Sequence, residues 1–131
     1  MLRAWVSAWT DDRPGLRRLA ADGFVSHSQN GADLDIDGLV HGIELVFTSF
    51  PDLQCEVVHV LEEGDLAAAY VVSMGTHLGP YLGLEATGER TAFRGTYHCR
   101  VDATAGRVLE DWEIFDLLTP AMRLGLTLSG P

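Results

Sequence analysis

Residues 53–77 read LQCEVVHVL (53–61), EEGD (62–65) and LAAAYVVSMGTH (66–77). Val57, Val58 and Val60 on one side, and Tyr70, Val71 and Val72 on the other, are residue types that strands favour. Glu62-Glu63-Gly64-Asp65 between them is a tight turn. The stretch is therefore expected to be two strands folded back on each other. The pattern continues downstream. Gly79, Pro80, Gly83 and Gly88 mark a loop over 78–88. Residues 90–101 read as a third strand and 107–116 as a fourth, joined through Ala105-Gly106. Thr119-Pro120 is expected to cap a last helical turn carrying Met122, Leu124 and Leu126.

Upstream the period changes. Leu2, Trp5, Val6 and Trp9 fall on one helical stripe. Asp12 is placed to cap a second short helix, with Pro14 in its first turn, Leu16, Leu19 and Ala20 facing in, and Gly23 as its stop. Phe24 to Ser28 is short and extended, and Asn30-Gly31 turns the chain. From the cap Asp35, the residues Ile36, Leu39, Val40, Ile43, Phe47 and Phe50 make a long amphipathic stripe that Pro51 ends. Helices first and a meander after predict an α+β fold, with helices packed on one face of a curved antiparallel sheet. Such a cone has one apolar mouth, a default small-molecule site.

The chain has 131 residues with 47% apolar and 21% charged. That fits one folded domain spanning 1–131, with no repeat and no linker. Nine arginines and no lysine stand against 19 acids, for a net charge of −10. This surface repels nucleic acid and anionic lipid. No apolar run reaches the about 20 residues of a membrane span, and no signal peptide is apparent at the N-terminus. A cytoplasmic protein is the expectation. Cys55 and Cys99 lie in apolar stretches, where reduced buried thiols are expected. The five histidines lack ligand spacing and Asp33-Leu34-Asp35-Ile36-Asp37 lacks the rest of a calcium loop, so no metal is expected.

Strand period two puts Asp116 on a face with Trp112 and Ile114. A carboxyl so placed is partly desolvated, which raises its proton affinity and suits acid–base work. The plainer reading is a helix cap before Leu117-Leu118. His98 shares a polar strand face with Arg94, Thr96 and Arg100, opposite an apolar face of Phe93, Tyr97, Cys99 and Val101. That polar face is either pocket or solvent. His27 follows Phe24-Val25 and can polarise a carbonyl or bond to backbone. His77 reads as a backbone organiser. Phe47, Phe50, Met74, Tyr81 and Trp112 are expected as wall residues.

One ordered series stands out over about residues 24–126: Phe50-Pro51-Asp52, Glu63-Gly64-Asp65, Gly75-Thr76-His77-Leu78-Gly79, Thr87-Gly88, Gly106-Arg107-Val108, Glu110-Asp111-Trp112, Asp116 and Arg123-Leu124-Gly125. It resembles the SnoaL-like polyketide cyclases, within the cone-shaped folds named after nuclear transport factor 2. The resemblance implies a homodimer, no cofactor, and a small aromatic or polyketide-derived substrate whose ring is closed by aldol chemistry. It implies Asp116 as the acid–base residue, with His98 or His27 stabilising the enolate. Relatives reported as hydroxylation components and epoxide-opening cousins keep those two activities open, beside a non-enzymatic small-molecule binding module. Some relatives carry arginine where this chain has Tyr70, which weakens the epoxide reading. Tyr70 is left as a phenol donor to a substrate oxygen or as packing.

Overall fold

The computed structural model describes residues 1–129. Helix α1 (Leu2–Asp11) buries Leu2, Trp5, Val6 and Trp9, the stripe set by their i, i+3, i+4, i+7 spacing. Asp12 then caps α2 (Arg13–Leu19) by accepting from the Gly15 N–H at 3.1 Å. Helix α2 gives way at Ala20 directly to strand β1 (Ala20–His27). Gly23 therefore does not stop the helix. It sits at φ +75° where the register of β1 slips between Ala20 and Val25, a bulge that glycine tolerates.

Two residues, Asp33–Leu34, form β2. Helix α3 (Ile36–Ser49) starts on the Asp35 cap, whose side chain accepts from the Gly38 N–H at 2.8 Å, and stops before Pro51. Strands β3 (Gln54–Glu63), β4 (Leu66–Thr76), β5 (Arg90–Asp102) and β6 (Arg107–Phe115) follow, then α4 (Leu118–Arg123). The expected Thr119-Pro120 cap is not what opens α4. The Asp116 carboxylate accepts from the Thr119 N–H at 3.0 Å instead.

The sheet runs β2-β1-β6-β5-β4-β3 and does not close. The β3–β4–β5–β6 meander is antiparallel, as expected, but β1 lies parallel to β6, so the sheet is mixed. Register slips at Val57/His59 and Arg100/Val101 add bulges that strengthen its twist and curl. On the concave face Ala67, Ala69, Val71, Tyr97, Cys99 and Val108 join the buried side of α1 in one core. Each large side chain buried there contributes about 1.5–3 kcal/mol. Phe50, Leu53, Phe93 and Leu124 make a second, smaller cluster. The loop after β4 lies against the end of α3: Leu78 and Gly79 both donate to the Ser49 carbonyl. A Cβ at Gly79 would stand 2.1 Å from the Thr48 carbonyl oxygen, so only glycine fits.

Candidate active site

Between α1, α3 and the concave sheet lies a cavity of about 420 Å³. Its wall is mostly apolar: Phe47, Phe50, Leu53, Tyr81, Phe93 and Phe115 carry much of it. Three of these, Phe47, Phe50 and Tyr81, are wall residues expected from sequence. Ile43 and Phe47 on the inner stripe of α3 are half-buried: they pack against the two core clusters and also line the cavity.

One carboxyl lines this cavity among the described residues, and it is Glu113. It stands opposite Tyr97 in the β5–β6 ladder. Burial is the first cause that pushes its proton affinity up, to about 7, and the nearby Asp111 carboxylate adds to it. No hydrogen bond from the protein offsets either effect. Gln29, also on the wall, fixes the end of β6 by accepting from the Phe115 N–H at 2.8 Å. Cys55 and Ser73 meet across β3 and β4 at 3.0 Å, and burial pushes the Cys55 thiol up. The Tyr81 hydroxyl has no partner among the described residues; burial, then the Asp116 charge, raise it.

Asp116 is not on this wall. It is exposed, and its bonds to Thr119 hold it below the usual carboxylate range. The apolar setting expected of it is absent: the face of Trp112 and Ile114 is the outer face of the sheet, and Asp116 lies past the strand end. His98 and Trp112 pair across β5 and β6 on that outer face, with rings stacked at 4.6 Å. His27 stacks on Trp112 at 4.7 Å and bridges Glu110 at 2.8 Å and Asp33 at 3.0 Å. Glu110 first, and Asp33 with it, raise the His27 proton affinity. Tyr70 stacks on His59 at 6.0 Å and Met74 is exposed, also away from the cavity. His77 is fully buried; its ring and backbone tie the loop to Thr87, Gly88 and Glu89, the organising role expected of it.

The structure thus brings together Phe47, Phe50 and Tyr81 inside, and His27, His98 and Trp112 outside. Sequence reading missed Glu113 and Gln29. The signal for Glu113 lay in β5: with Phe93, Tyr97 and Cys99 facing in, antiparallel pairing turns Phe115, Glu113 and Asp111 inward as well.

No three His, Cys, Asp or Glu side chains converge as a metal site among the described residues. Among the described residues no helix is long and apolar enough to cross a membrane.

The SnoaL-like polyketide cyclase profile matches residues 1–124. A comparison with curated proteins gives no match. Among solved structures, the chain is similar to IdmH of Streptomyces antibioticus, a candidate polyketide cyclase, at 27% identity and a TM-score of 0.86, covering 95% of this chain and 96% of that one. It is similar to AclR of Streptomyces galilaeus, a candidate hydroxylase, at 28% identity and a TM-score of 0.82, covering 96% and 79%. A SnoaL-like protein of Jannaschia sp. CCS1, at 20% identity and a TM-score of 0.83 over 97% and 90%, shares the fold.

Proposed function

The chain belongs to the SnoaL-like polyketide cyclase family, and from that premise and the lone carboxyl on its cavity wall we propose that it closes a ring in a small polyketide-derived substrate, with Glu113 as acid and base. Glu113 takes a proton alpha to a carbonyl. The resulting enolate carbon attacks a second carbonyl of the same molecule, forming the new C–C bond. The alkoxide left by that attack takes the proton back from Glu113. No external redox partner or cofactor enters this balance.

A carboxyl with a proton affinity near 7 is shared between its two forms at neutral pH, which suits a group that must take and return one proton. The apolar wall excludes water and folds the substrate so that its reacting carbons meet. A 420 Å³ cavity falls within the size range of small-molecule sites, about 300–1,000 Å³. Because His27 and His98 lie on the outer face, neither serves the enolate in this reading.

Glu113→Gln keeps the shape and removes the base. Ring closure, followed by product formation on a polyketide substrate of the host pathway, is expected to fall by about 10²–10⁴-fold. An unchanged rate with retained binding would sink the assignment. The 28% identity to AclR favours one rival, a hydroxylation component on the same scaffold. Oxygen consumed in step with product would identify it.

We also place a second copy of this chain against the outer sheet face. There Trp112 lies between two imidazoles and Ile114 is 68% exposed. Sedimentation of a homodimer is the expected outcome. The free thiols Cys55 and Cys99 suit a reducing cytoplasm.

A further inference from the structure

Asp111 is 1% exposed, yet no cation forms an ion pair with it among the described residues. Its Oδ2 accepts from the Trp5 indole N–H at 3.2 Å and from the Tyr97 hydroxyl at 2.7 Å. Burial raises its proton affinity, and the donors on Trp5 and Tyr97 pull it back down. Its Oδ1 has no partner among the described residues. An isolated buried carboxylate is costly, and an apolar side chain would fill the same place without that cost. Two elements nevertheless supply donors to it: α1 through Trp5 and β5 through Tyr97. A neutral acceptor would serve the buried Trp5 and Tyr97 donors as well, so those bonds do not by themselves explain an acid here.

Its neighbour does. Asp111 and Glu113 are two residues apart on β6 and face the same side, roughly 7 Å apart along the strand. Glu113 stands at the cavity wall, and Asp111 lies one pleat deeper. We propose that Asp111 is a positioning residue for the site: a buried carboxyl, held by Trp5 and Tyr97 one pleat below Glu113 on the same face of β6, that decides which of the two acids holds the proton, so that Glu113 serves first as base and then as acid. This rests on the reading of Glu113 as the acid–base group.

The other groups around Glu113 leave the field to Asp111. Tyr97 and Cys99 face it from β5. Burial first, and Asp111 next, push the Tyr97 hydroxyl well up and the Cys99 thiol to about 11, so both are neutral. Cys55 on β3 is raised by burial, and the Asp11 charge at the end of α1 is felt at that thiol. No arginine lines the cavity among the described residues. His27, the base whose charge reaches Asp111, lies across the sheet on Glu110 and Asp33.

The test is a titration of the ligand-free protein. The Glu113 carboxyl carbon, labelled with ¹³C-glutamate and assigned through Glu113→Gln, is followed by NMR. In the parent protein its midpoint is expected near 7. In Asp111→Asn it should drop by about one pH unit or more, while burial still holds it above an ordinary glutamate. A second measurement follows the Asp111 carboxyl of the parent protein, labelled with ¹³C-aspartate: it should ionise at lower pH than Glu113. An unchanged Glu113 midpoint in folded Asp111→Asn overturns the proposal. If that variant does not fold, an Asp111 carboxyl that ionises after Glu113 in the parent protein overturns it. The titration needs no substrate, so it fails or succeeds apart from the cyclase reading, which the rate of Glu113→Gln decides.

Discussion

Glu113 and Asp116 are three residues apart and have opposite chemistry. Glu113 is recessed against a carboxylate and receives no hydrogen bond, so its proton is held to about 7. Asp116 is exposed and accepts from Thr119, so it stays ionised below the usual 3.8. A carboxylate held low in the fold stabilises it above the unfolded value, and that contribution is lost as pH falls through the folded value. Asp116 is thus a cap for α4. Asp116→Ala should lower the melting temperature slightly at neutral pH, with the difference fading in acid, and leave turnover unchanged. Calorimetry across pH, beside the rate, checks both. A large loss of turnover in a folded Asp116→Ala would return Asp116 to the chemistry.

At the scale of the element, the β5–β6 pair decides where chemistry sits. Gly95 lies opposite Phe115, and a Cβ there would stand 2.4 Å from the Ile114 carbonyl oxygen and 2.6 Å from the Phe115 ring. The bare backbone of β5 lets the Phe115 ring lie over it at the cavity wall. Gly95→Ala should push β6 away and cost about 1–3 kcal/mol in a urea titration. The elements themselves were legible: Asp12 and Asp35 announced helix starts, and the valines of β3 and β4 announced a hairpin. What strand period two does not say is which face is inside. Trp112 and Ile114 are large apolar residues two apart on β6, and they suggested that their face was the inner one. They lie outward because the neighbour strand β5 fixes the sense through Tyr97 and Cys99. The parallel pairing of β1 with β6 was also hidden, since no local pattern in residues 20–27 names a partner 85 or more residues away. The outer stack of His27, Trp112 and His98 follows from that same pairing.

At the scale of the whole molecule, the −10 charge is spread over exposed turns and strand faces, while two acids, Asp111 and Glu113, are set into the concave side. Holding a carboxyl there has a price in stability with a definite sign. The Glu113 proton affinity rises from 4.5 to about 7 in the fold. A carboxyl raised in this way disfavours the folded state once it must ionise. The fold carries no such penalty below 4.5, and the penalty grows to its full size as pH rises through 7. At 1.36 kcal/mol for each pH unit, the rise amounts to about 3 kcal/mol above pH 7. Glu113→Gln removes the ionisation and keeps the volume. It should therefore unfold later than the parent protein at alkaline pH, by up to about 3 kcal/mol, and be nearly level with it near pH 4. Urea titrations at the two pH values measure the difference. A gain that appears only on the alkaline side, together with lost ring closure, marks Glu113 as a group kept against the stability of the fold. An equal effect at both pH values would show that Glu113 is not held in the low-dielectric setting on which its role depends.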